Sequence, residues 1–111
     1  MPTIQSDLDY ILGKNATGYC FVTGLGSRPV MKIQHRICAS DGVVDPIPGL
    51  LSGGPNATAH FDCGADKYFS KIPAKSFLDA ECSYASNEIA INWNAPLFFV
   101  LGSMDALSQK K

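Results

Sequence analysis

The segment from Phe77 to Glu88 gathers the side chains best suited to acid–base chemistry. It holds three carboxylates, Asp79, Glu81 and Glu88, and two aromatic rings, Phe77 and Tyr84. Hydrolysis of a glycosidic bond needs such a set: one carboxylic acid protonates the departing oxygen, and flat apolar rings stack on pyranose faces. Composition alone also fits a plainer reading, in which carboxylates at a helix start complement the helix dipole on the surface. A second polar cluster, Gln34-His35-Arg36, follows a Gly-rich stretch. An arginine there can hold sugar hydroxyls or a carboxylate, or simply occupy a surface loop. His35 with Cys38, and His60 with Cys63, form two His-x-x-Cys pairs compatible with a Cys2His2 zinc site, which would leave Cys20 and Cys82 unexplained. Asn15-Ala16-Thr17 and Asn56-Ala57-Thr58 satisfy the N-glycosylation pattern and read as loop residues.

Two helices are expected to position these groups. Ile4, Leu8, Ile11 and Leu12 form one apolar stripe at the helical period, with Thr3 or Ser6 as cap and Gly13 at the end. Ser86-Asn87-Glu88 reads as the start of a second helix, whose apolar positions Ile89, Trp93, Leu97, Val100, Leu101, Met104 and Leu107 keep the period across Pro96. A carboxylate in that first turn is favoured in its charged form, the opposite of what a proton donor needs. More than 70 residues between the helices carry little regular pattern beyond a short strand at Tyr19–Thr23. A compact domain rarely contains so long an irregular connection, so these loops are expected to pack on helices outside this sequence.

The 111 residues allow at most one domain, and 46% hydrophobic against 17% charged residues is a globular composition. A net charge of −1 gives no reason to expect nucleic acid or an anionic membrane as partner. No apolar run approaches the roughly 20 residues that span a bilayer. The first residues lack the basic start and apolar stretch of a signal peptide, so an exported parent would carry its signal upstream.

Four stretches together resemble the closing segment of the catalytic domain of glycoside hydrolase family nine. They are Asp9 to Tyr19, Phe21 to Gly24, Pro46 to Asn56, and Asn87 to Pro96. The most specific motif runs through Phe77, Asp79, Tyr84, Glu88, Ala90, Asn94 and Ala95, and every position fits the family signature. The resemblance covers nearly the whole chain. It implies a mainly α fold, the C-terminal part of an (α/α)6 barrel with long irregular loops, incomplete on its own. It also implies β-1,4-glucan hydrolysis with inversion, cellulose or a related glucan as substrate, and no cofactor. By position, Glu88 matches the general acid, Asp79 the supporting active-site aspartate, Tyr84 the signature aromatic and Arg36 the substrate-binding arginine. Gln34 stands where the family has its active-site histidine, with His35 one place later. A glutamine can hydrogen-bond a sugar hydroxyl but cannot titrate near neutral pH. The base aspartate that activates water belongs to a motif this chain lacks. The resemblance further implies a Cys63–Cys82 bridge, with Cys20 and Cys38 as buried thiols, and an extracellular or periplasmic parent. A non-catalytic glucan-binding relic and a small zinc-stabilised module stand as alternatives.

Overall fold

The computed structural model of the chain describes residues 2–57 and 61–110, so Thr58 and His60 of the motifs above lie outside the described residues. Helix is the main regular element: α1 is Pro2–Ile11, α2 Arg36–Ser40, α3 Tyr84–Asn87 and α4 Ile91–Ser108, with 3-10 turns at Ala65–Lys67 and Pro73–Lys75.

The apolar stripe of α1 turns Leu8 inward, and Ile11 packs against the central core. The chain reverses after Gly13 around one side chain. Asn15 donates both amide hydrogens, to the carbonyls of Tyr10 at 2.7 Å and Tyr19 at 2.9 Å. Its Oδ1 accepts from the backbone N–H groups of Thr17 and Gly18, both at 3.0 Å. A side chain that closes a turn in both directions explains why an asparagine is needed there.

The loops of the long middle region pack on each other and supply most of the core, while Val44, Phe61 and Phe69 stay exposed. Phe21, Val22, Val30, Ile33, Leu51 and Phe77 are buried together, with Cys20 among them. The Phe77 ring lies 5.0 Å from that of Phe21 and 5.1 Å from that of Tyr19, so this aromatic is a core residue and not a sugar platform. Four extended segments are braided by single bridges: Cys20 with Pro29, Val22 with Leu51, Ser52 with Ile89, and Gln34 with Glu88. Tyr19–Thr23, expected as a strand, makes only the two isolated bridges at Cys20 and Val22, because its neighbours pair with it one residue at a time. Pro29, Gly24, Gly49, Gly53 and Gly54 interrupt the segments, and neither residue type sustains a ladder.

One glycine is required by geometry. Gly24 has φ +72°, and a Cβ there would sit 2.7 Å from the Cβ of Pro48. Thr23 holds the same loop, donating its hydroxyl to the Ile47 carbonyl at 2.6 Å and accepting the Leu50 N–H at 2.9 Å. Gly24→Ala is therefore expected to destabilise the chain by about 2 kcal/mol, through left-handed backbone strain plus the clash. Chemical denaturation followed through Trp93, the single tryptophan, measures it.

The second expected helix is a correction. It does not run from Asn87 to Leu107: α3 ends at Asn87, Glu88 is extended (φ −71°, ψ 145°), and α4 begins only at Ile91. Tertiary pairing of residues 88 and 89 with Gln34 and Ser52 overrides the helical period that Ile89 shares with Trp93. α4 then runs through Pro96. Its first turn is clamped to Leu51: Trp93 Nε1 and Asn94 Nδ2 each donate to the Leu51 carbonyl at 2.9 Å, and Asn94 Oδ1 accepts its N–H at 2.8 Å.

Beyond that clamp, α4 is apolar on faces that none of the described residues covers. Phe98 and Phe99 are 81% and 73% exposed, and Ile91, Leu101 and Leu107 are exposed as well. A helix apolar all round is made to be buried in a larger body of protein. Among the described residues, no helix is long and apolar enough to cross a membrane.

Candidate active site

The approach to Glu88 is anchored by a covalent and polar knot. Cys63 and Cys82 form a disulfide that closes a separation of 19 residues. Beside it, the Asp62 carboxylate accepts the Tyr68 hydroxyl at 2.9 Å and the Ala85 N–H at 3.0 Å. The Tyr68 hydroxyl also lies 2.7 Å from Ser83 Oγ, which is 2.6 Å from Ser86 Oγ. Burial, first of all, pushes the Tyr68 hydroxyl above its ordinary ionisation range, and the Asp62 carboxylate adds to this. With Cys63 committed to the bridge, the four-ligand zinc set loses one of its sulfurs. Cys20 is buried as expected, but Cys38 is only partly so.

From this knot Glu88 emerges into a cleft of about 400 Å³ lined by Gln34, His35, Arg36, Ile37, Glu81, Glu88 and Ile89. Gln34 and Glu88 are bridged in parallel register: the Gln34 N–H donates to the Asn87 carbonyl at 2.9 Å, and the Ile89 N–H to the Gln34 carbonyl at 3.4 Å. Paired residues of a parallel bridge project to the same side, which places these two side chains next to one another. The Glu88 carbonyl accepts the Gly53 N–H at 3.1 Å, so the backbone is held on both sides of the acid. His35 precedes α2 and lines the same cleft as Gln34, although neighbours in extended chain point to opposite sides. Its Nδ1 lies 3.1 Å from Cys38 Sγ, which fixes the ring orientation.

Arg36 is exposed at the start of α2. The ion pairs among the described residues, Lys14–Asp9 and Lys67–Asp66, involve neither it nor Glu88. The cleft thus offers one cation and two carboxylates beside neutral donors. Such a set can grip hydroxyls and deliver a proton.

The other candidates lie elsewhere. Tyr84 opens α3 and is 52% exposed, but it does not line the cleft. Asp79 is also outside it, and its carboxylate accepts the N–H groups of Met31 at 2.9 Å and Lys32 at 2.8 Å. Glu81 lines the cleft and was singled out only as one of three carboxylates; no spacing rule distinguished it from a surface residue. Asn94 carried its signal only as a signature position, and its clamping role needed the coordinates of Leu51.

The family model of glycosyl hydrolase family 9 matches residues 2–101 of the chain. The chain belongs to that family. Among family 9 relatives, it is similar to a xyloglucan-specific endo-β-1,4-glucanase of Bacteroides ovatus, 51% identical over 102 residues, covering 92% of this chain and 17% of that protein. It is 40% identical over 103 residues to a cellodextrinase of Butyrivibrio fibrisolvens, covering 91% of this chain and 19% of that one. Among solved structures, a Bacteroides ovatus family 9 protein superposes with a TM-score of 0.77 at 50% identity, over 93% of this chain and 16% of that one. A thermostable endoglucanase of Alicyclobacillus acidocaldarius gives 0.83 at 38% identity, over 92% and 19%. The chain therefore spans less than a fifth of the length of these family 9 proteins. Its helices and braided loops are part of the (α/α)6 barrel of family 9.

Proposed function

We propose that this segment supplies the acid-side wall of the catalytic cleft in a β-1,4-glucan hydrolase whose barrel the rest of the protein completes. Glu88 donates the proton to the glycosidic oxygen. Arg36, with Gln34 and His35, holds hydroxyls of the sugars on either side. The observation that supports this reading best is the parallel bridge that sets Gln34 beside Glu88 on a cleft also lined by Arg36. The uncovered apolar surface of α4 fits a segment that the remaining barrel buries. The substrates that give the relatives their names, xyloglucan and cellodextrins, share a β-1,4-glucan backbone, which is the substrate class assigned to this protein. Polymeric glucan and the disulfide both suit an extracellular or periplasmic enzyme.

Hydrolysis should proceed with inversion, a water attacking from the face opposite Glu88 under the control of a base outside this chain. Proton NMR of the first products released from cello-oligosaccharides by the complete protein tests this: the α-anomer should appear first. A β-anomer appearing first overturns inversion. Glucan binding without any release of sugar supports the non-catalytic relic instead.

A further inference from the structure

Asn87 is fully buried, and its amide nitrogen donates to the Lys32 carbonyl at 2.8 Å and to Asp79 Oδ1 at 2.9 Å. Both partners are acceptors, so the NH2 group must face them and the orientation of this amide is determined by chemistry. Its Oδ1 is left buried without a hydrogen-bond partner among the described residues. An unpaired buried carbonyl is costly, and its retention marks a site where the two donated bonds matter more. Asp79, for its part, uses about three of its roughly four lone-pair directions, on the N–H groups of Met31 and Lys32 and on Asn87.

These bonds tie together three pieces of chain, two of which lead directly into the bridged pair Gln34 and Glu88. The stretch 31–32 leads straight into Gln34, and Asn87 immediately precedes Glu88. The Asn87 backbone carbonyl accepts the Gln34 N–H at 2.9 Å. We infer that Asp79 and Asn87 form a positioning pair that sets the register of Gln34 against Glu88, and so aims the proton donor without touching substrate. Asp79 faces a different cavity, lined with Tyr19 and Arg28, and does not reach the cleft wall. The inference rests on the assignment of Glu88 as the acid. It relies on contacts within this chain, made by the buried Asn87 and the half-buried Asp79.

Two nearly isosteric changes break the pair differently. Asn87→Asp replaces two donated bonds by carboxylate facing carbonyl and carboxylate. Asp79→Asn turns an NH2 toward at least one of three donors. Each is expected to lower kcat on cello-oligosaccharides about 10²-fold in the complete protein, with KM little changed, because misplacing a catalytic group by about 1 Å costs that much. The decisive readout is leaving-group dependence. A dinitrophenyl cellobioside departs without needing a proton, so a misaimed acid should reduce its turnover by no more than about threefold. A merely structural role lowers both substrates alike, and equal loss on both, or no loss on either, overturns the pair. Glu88→Ala serves as the control. If it fails to show the same split, the assignment of the acid itself falls. If it shows the split and both pair variants do not, only the positioning inference falls.

Discussion

Replacing Glu88 with glutamine in the complete protein is expected to lower kcat on β-1,4-glucan by about 10²–10⁴-fold, the contribution of a well-placed general acid. The change keeps size and shape. It removes only the transferable proton, because the Asn87 and Glu88 carbonyls that lock residue 88 into the braid belong to the backbone. Binding should survive, since Gln34, His35 and Arg36 still line the cleft, so KM is expected to stay within a few-fold while kcat collapses. Steady-state kinetics on soluble glucan measure both. A fall of less than about tenfold in kcat means another group delivers the proton and the assignment of Glu88 is wrong. The helix-start field expected to oppose proton donation is not aimed at Glu88: α4 starts three residues later, and its first turn carries no acidic residue.

Removing the Cys63–Cys82 bridge is expected to have the largest effect on stability. The disulfide closes a separation of 19 residues, and the chain-entropy model assigns roughly 3 kcal/mol to a loop of that size. The native side adds to this, because Asp62, Tyr68, Ser83 and Ser86 are knotted beside the bridge and depend on both of its arms. The paired replacement Cys63→Ser with Cys82→Ser should move the denaturation midpoint of Trp93 fluorescence accordingly, with the slope changing little. Addition of reductant to the unaltered chain should reproduce the shift. An unchanged midpoint in both experiments would show that the bridge constrains nothing. Under denaturing, non-reducing conditions the thiol count should be two, from Cys20 and Cys38.

The candidate acid Glu88 and the family were legible along the chain. The signature from Phe77 to Ala95 is local, its residue types are chosen by chemistry, and the stripe of α1 shows a clean helical period. Where local pattern misled, a non-local contact had won. Ile89 and Trp93 share a helical period, but Ile89 pairs with Ser52, so the helix breaks at the acid and resumes at Ile91. The loops read as formless because each contributes only one or two bridged residues. No sequence rule sums Cys20 with Pro29, Val22 with Leu51 and Gln34 with Glu88 into a single core.

What the sequence determined by itself, then, was the set of reactive side chains and the proteins they belong with, since residue identity and spacing survive without coordinates. Only the tertiary structure decided which of them share a cleft. It drew His35 in beside Gln34, added Glu81, left Tyr84 outside and turned Asp79 inward to the backbone of Met31 and Lys32. The physical reason is that hydrogen bonds between residues about 50 positions apart leave no trace in local periodicity; they exist only once the intervening chain has packed.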